Sequence, residues 1–128
     1  METITLQESA KTPYIRLDPD QGQIEIKGRS IPENSVEFYR QVISWLSEYA
    51  QGDSKPTNVR FQLEYFNTSS SKCILDIFKK LEAMYRKGWE VSISWCYDED
   101  DEDMLESGED YQSILSCPIS LEKMSGTL

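Results

Sequence analysis

The sequence predicts an α/β fold, a mixed β-sheet with helices packed mainly on one face, in the order β-β-α-β-α-β-α-β. Three observations carry that expectation. Val59-Arg60-Phe61-Gln62-Leu63-Glu64-Tyr65 sets apolar residues at every second position, the period of a half-buried strand. Trp89, Val91, Ile93 and Trp95 repeat the pattern. Between the two runs, Ile74, Ile77, Phe78, Leu81 and Met84 or Tyr85 recur at helical spacing. Strands separated by a helix favour parallel neighbours joined by right-handed crossovers.

The other elements follow in chain order. Tyr14 to Leu17 and Gln23 to Lys27 read as two short strands, and the turn residues Asp18-Pro19-Asp20-Gln21-Gly22 between them make a hairpin. Ile31-Pro32-Glu33-Asn34-Ser35 introduces a helix whose face is Tyr39, Val42, Ile43, Leu46 and Tyr49 or Ala50. Trp45 lies beside that stripe and is expected to be only partly covered. Gly52 ends the helix. The second helix runs from about Ser70 to Arg86 and stops before Gly88. A third helix carries Met104, Leu105, Tyr111, Ile114 and Leu115, although Gly108 weakens it. Pro118 to Glu122 forms a last short strand, placed at an edge by its proline.

The string Asn67-Thr68-Ser69-Ser70-Ser71 falls where the strand ends and the second helix begins. Free backbone N–H groups and the positive end of the helix dipole favour a negative group there. A phosphate would change the local charge by about two units. The plainer reading makes Thr68 or Ser69 an N-cap. Just before the string, Tyr65 and Phe66 point to opposite faces of the strand, so one of them faces away from the core. An exposed aromatic beside a modifiable hydroxyl is a docking anchor; the alternative is a residue covered by the third helix.

A chain of 128 residues supports one domain, taken as residues 1–128. The net charge of −10 is concentrated: Asp98 to Asp110 holds nine acids and no base, and the remainder has 14 acids against 13 Lys and Arg. Without a basic stripe, nucleic-acid binding is not expected. The acidic run lacks the glycine and ligand spacing of an EF-hand and reads as a solvated approach to the third helix. No run is apolar enough to cross a bilayer, and the N-terminus lacks a signal-peptide pattern, which makes the cytoplasm the expected compartment. The cysteines Cys73, Cys96 and Cys117 form neither a metal motif nor a disulfide framework, and Cys73 and Cys96 are expected to pack as small apolar residues. There is no histidine and no Gly-rich phosphate loop. No cofactor, metal or catalytic set is expected.

Four strings taken together resemble the SiaC-type bacterial regulatory phosphoproteins. They are Ile31-Pro32-Glu33-Asn34-Ser35, Leu63-Glu64-Tyr65-Phe66-Asn67-Thr68-Ser69-Ser70, Asp76-Ile77-Phe78 and Trp95-Cys96-Tyr97-Asp98. The acidic stretch from Asp101 to Tyr111 is also similar to many members, and the resemblance spans about Thr12 to Lys123. It implies a STAS-like fold of the anti-sigma-factor-antagonist type, with Thr68 as phospho-acceptor. It further implies a serine/threonine protein kinase and a PP2C-like phosphatase as regulators. The effector it implies is a diguanylate cyclase, which makes cyclic di-GMP and promotes biofilm growth. Parallel strands start both helices at one end of the sheet, so Asn34 and Thr68 are expected on one rim. The expected partner-binding residues are Asn34, Tyr65, Phe66, Asn67, Thr68, Ser69 and Ser70, on a protein that is monomeric when free. Two other classes stand beside this one: an anti-sigma-factor antagonist using the same site, and an enzyme using carboxylates.

Overall fold

The computed structural model describes residues 1–125. Its strands are β1 (Ile4–Leu6), β2 (Tyr14–Asp18), β3 (Gln23–Ser30), β4 (Thr57–Phe66), β5 (Val91–Asp98) and β6 (Ile119–Met124). Its helices are α1 (Ser35–Tyr49), α2 (Thr68–Arg86) and α3 (Glu102–Ile114). The six strands form one sheet in sequential order. β1, β2 and β3 pair antiparallel, and β3 through β6 pair parallel. The expected order of elements is present, with one further strand before it. β1 pairs Ile4, Thr5 and Leu6 with Leu17, Arg16 and Ile15; three residues are too few to display a period. β6 is the opposite edge; it runs from Ile119 to Met124, so Pro118, expected at its start, lies just before it.

Alternation along the strands divides the sheet into two faces. Ile15, Leu17, Ile24, Ile26, Val59, Phe61, Leu63, Val91, Ile93 and Trp95 join the apolar faces of all three helices in one buried cluster. Arg16, Glu25, Asn58, Arg60, Ser92 and Ser94 line an open groove on the other face. In α2 the stripe closes on Met84, whereas Tyr85 stays 39% exposed.

Several details differ from expectation. Trp45 is buried, because it stacks on Tyr49 at a centroid distance of 4.8 Å and its indole N–H points to the Glu2 carbonyl at 3.5 Å. The N-terminal segment covers a side chain that the helix alone leaves open. Trp89 precedes β5 and is buried 5.3 Å from the Tyr49 ring. In α3, Ile114 is exposed, and the inward stripe is Met104, Gly108 and Tyr111, with Leu115 just beyond the helix. The free thiols Cys73, Cys96 and Cys117 are all buried, and burial raises their pKa values.

Gly108 explains why a weak helix former occupies α3. A Cβ there would lie 2.5 Å from Trp95 Cδ1 and 2.7 Å from Leu121 Cδ2. The close approach lets Trp95 Nε1 donate to the Met104 carbonyl at 2.9 Å. At the far end of α2, the buried Glu82 carboxylate accepts the Ser116 N–H at 2.6 Å and the Ser116 hydroxyl at 3.0 Å. Those bonds, with Arg86 at 3.8 Å, hold its pKa below the usual carboxylate value despite desolvation.

Two outcomes follow for stability. Gly108→Ala overpacks the α3–β5 contact and lowers the unfolding free energy by about 1–3 kcal/mol, read by denaturant titration; a variant as stable as the parent would contradict the close approach. Glu82 is depressed in the folded state, so its contribution is present above the unfolded carboxylate pKa and is lost as pH falls through the folded one. Glu82→Gln is therefore less stable than the parent at neutral pH, and the gap narrows in acid. A gap independent of pH would contradict that assignment.

Candidate functional site

The starts of α1 and α2 lie side by side beyond the ends of β3 and β4. Each is capped by an asparagine in extended conformation. Asn34 Oδ1 accepts the Glu37 N–H at 3.1 Å, and Asn67 Oδ1 accepts the Ser70 N–H at 2.9 Å. The cap of α2 is thus Asn67 and neither Thr68 nor Ser69, and the helix begins two residues before the expected start at Ser70. Asparagine ranks with the best N-caps, and its carbonyl reaches the third helical N–H without drawing on the hydroxyls behind it.

A chain of hydroxyls joins the two starts. Tyr39 Oη lies 2.6 Å from Ser30 Oγ, which lies 2.8 Å from Ser70 Oγ. The Ser70 hydroxyl donates to the Ser30 carbonyl at 3.0 Å. Ser35 Oγ is 3.3 Å from Ser70 Oγ and 2.7 Å from Ser69 Oγ, and the Ser69 hydroxyl donates to Asn67 Oδ1 at 3.2 Å. The Asn67 N–H donates to the Ser30 carbonyl at 3.1 Å. Ser30, Ser35, Ser70 and Tyr39 are buried, and burial pushes the Tyr39 phenol up to about 12.

These contacts fix where each expected site residue stands. Asn34, Thr68 and Ser69 are exposed, and Asn67 is half-buried, all on one rim. Ser70 is fully buried and offers nothing to a partner; its hydroxyl belongs to the network under the rim. Tyr65 and Phe66 are separated by a register shift. Gly28 pairs with Leu63 but Arg29 pairs with Tyr65, so Glu64 is the extra residue of a bulge. The bulge reverses the facing of the last two residues of β4. Tyr65 is turned out, 54% exposed, while Phe66 is turned in, edge-on to Trp95 at 6.0 Å. Phe66 thus packs toward the core, and Tyr65 is the exposed aromatic at the end of β4. Ser30, Ser35 and Tyr39 were not singled out as site residues from sequence; they lie up to 40 positions from their partners, and no local pattern marks them.

Thr68 differs from its neighbours. It is exposed, occupies the first helical position, and its hydroxyl has no hydrogen-bond partner among the described residues. Lys72 follows one turn later on the same helix face. The third helix reaches the same region: the Tyr111 hydroxyl donates to the Ser71 carbonyl at 2.9 Å. Its own start is capped by Asp101, which accepts the Met104 N–H at 3.0 Å. Among the described residues no group of three or more His, Cys, Asp or Glu is placed to hold a metal ion, and no helix is long and apolar enough to cross a membrane. Among the described residues the rim thus displays a free hydroxyl, that of Thr68, at a helix start, where backbone N–H groups and the helix dipole favour a negative group.

Comparison with known proteins gives concordant matches. Residues 6–124 match the model of the SiaC family regulatory phosphoproteins. An uncharacterized protein of Pseudomonas aeruginosa strain UCBPP-PA14 is 33% identical over 122 residues, covering 95% of this chain and 97% of its own. The solved structure of SiaC of Pseudomonas aeruginosa is similar at a TM-score of 0.90 and 31% identity, with 97% of this chain and 100% of that chain covered. A chain from the crystal structure of diguanylate cyclase SiaD in complex with its activator SiaC, also from Pseudomonas aeruginosa, is similar at a TM-score of 0.90 and 32% identity, covering 94% and 99%.

Proposed function

The chain belongs to the SiaC family of regulatory phosphoproteins, and from that premise we propose that it is a non-catalytic switch whose reversible phosphorylation on Thr68 controls binding and activation of a diguanylate cyclase. The observation that carries the reading is the exposed, unbonded Thr68 hydroxyl at the start of α2, in a fold similar to a cyclase activator. A serine/threonine kinase adds the phosphate and a PP2C-like phosphatase removes it. The protein acts as one cytoplasmic regulatory domain, monomeric when free, and uses no cofactor.

The switch works by local chemistry. Unmodified, the rim offers Asn34, Asn67, Thr68 and Ser69 as polar contacts and Tyr65 as an apolar anchor. Phosphate on Thr68 adds about two negative charges and three acceptor oxygens. Free in solution it is hydrated and paired with Lys72 and the helix-start amides. Docking strips that hydration, and the desolvation opposes binding unless the partner supplies Arg or Lys.

The test is titration of the cognate cyclase with unmodified and stoichiometrically Thr68-phosphorylated protein. An affinity loss of roughly a hundredfold corresponds to about 2.7 kcal/mol and suffices for a switch. Thr68→Ala retains cyclase activation and loses response to the kinase. Thr68→Asp weakens binding only in part, having less charge and fewer oxygens. Tyr65→Ala weakens binding by about tenfold or more without unfolding the chain. Equal affinity of the modified and unmodified forms, both folded, would remove Thr68 from the switch. Capture of an anti-sigma factor in place of a cyclase would reassign the effector.

A further inference from the structure

Four successive hydroxyls stand at the start of α2, and the proposed switch needs only one of them to react. Exposure alone does not choose. Thr68 and Ser69 are both exposed, Ser71 is half-buried and only Ser70 is buried. Hydrogen bonding does choose. Ser70 is bonded to Ser30 and lies near Ser35. The Ser71 hydroxyl donates to the Thr68 carbonyl at 2.6 Å. The Ser69 proton is committed to Asn67 Oδ1 at 3.2 Å, so in the 2.7 Å contact with Ser35 it is Ser35 that donates and Ser69 that accepts.

Phosphoryl transfer asks two things of the acceptor. Its oxygen must form a bond to the γ-phosphorus of a nucleoside triphosphate held by the kinase. The bond from that phosphorus to the bridging oxygen then breaks, and its electron pair leaves on the nucleoside diphosphate. The hydroxyl proton must meanwhile pass to a base of the kinase. Ser69 has its proton on Asn67 and one of its two lone pairs on Ser35, so its oxygen is pinned in one orientation between the two helix starts and cannot turn into line with the phosphorus. Thr68 carries neither restraint.

We propose that Ser35, buried at the start of α1 and 34 positions away in sequence, is a positioning residue that withholds Ser69 from the kinase and so confines phosphorylation to Thr68. The inference rests on the reading of Thr68 as acceptor. It makes Ser69 a latent second modification site: loss of the 2.7 Å Ser35 contact leaves only the longer 3.2 Å bond to Asn67, from which the exposed hydroxyl can rotate away. Ser70 keeps its bonds to Ser30 when Ser35 is truncated, so the network beneath the rim survives the change.

The experiment maps phosphate by mass spectrometry after treatment of full-length parent, Thr68→Ala, Ser35→Ala and Ser35→Ala/Thr68→Ala with the cognate kinase and ATP. The site modified, and not merely the extent, is the readout that a purely structural role of Ser35 would leave unmoved. The parent is expected to carry phosphate on Thr68 alone, and Thr68→Ala to carry none. Ser35→Ala should carry it on Thr68 and Ser69, and the double variant on Ser69. Ser35→Cys keeps the bulk of the side chain with a weaker donor, and should open Ser69 in the same direction if the alanine variant does not fold. The proposal is overturned if Ser69 stays unmodified in the folded Ser35 variants while Thr68 is modified normally, or if Thr68→Ala alone is already modified on Ser69. A parent unmodified on Thr68 fails differently, by removing the acceptor reading on which the proposal rests.

Discussion

Ser70 Oγ is fully buried, and its hydroxyl meets Ser30 on one side and approaches Ser35 on the other. A hydroxyl taken out of water without a partner is destabilising by about 1–3 kcal/mol, so each of these groups constrains the next. Ser30 ends β3, Ser35 opens α1 and Ser70 lies in the first turn of α2. Satisfying all three at once fixes the register of the two helices against each other and against the end of the sheet. The Asn67 N–H bond to the Ser30 carbonyl adds backbone to the same knot. The geometry of the rim follows from it. Asn34 and Asn67 cap their helices, Ser69 is tied down, and Thr68 is left outside the network with its hydroxyl presented to solvent.

The parallel part of the sheet supplies the setting. β3, β4 and β5 end at one side, and α1, α2 and α3 each start there after a short connection. Three helix starts thus share an edge of the molecule, two of them polar and the third led by the acidic run from Asp98 to Asp103. Trp95 and Gly108 hold α3 close to the sheet, and Tyr111 ties it to the first turn of α2. A phosphate on Thr68 would enter a rim already braced on both sides. Its effect would be one of charge and hydration at the surface, with the core unchanged.

Much of this was legible in the sequence, because burial writes a period into the chain. The alternation in β4 and β5 and the stripe in α2 identified the strand-helix-strand unit, and the common end of parallel strands put Asn34 and Thr68 on one rim. What escaped has physical reasons. β1 is too short for a period. The bulge after Leu63 depends on how β3 pairs with β4, so alternation alone, which carries Tyr65 inward with Val59, Phe61 and Leu63, does not show that Tyr65 faces out. Ser70 looked like one more surface hydroxyl, because the partners that bury it come from β3 and α1. Gly108 counted against α3 by propensity, yet it is the residue that admits Trp95. In each case the missing information was a contact between distant segments.

The central claim is that phosphate acts on a preformed rim and leaves the fold as it is. Amide NMR spectra of unmodified and stoichiometrically Thr68-phosphorylated protein test it most directly. The account predicts shift changes confined to the starts of α1 and α2 and the end of β4, with signals from β1, β2 and β6 unmoved and cyclase activation lost in the same sample. Shifts spread through the far strands, or loss of signal dispersion on phosphorylation, would contradict it and point to a rearrangement of the sheet.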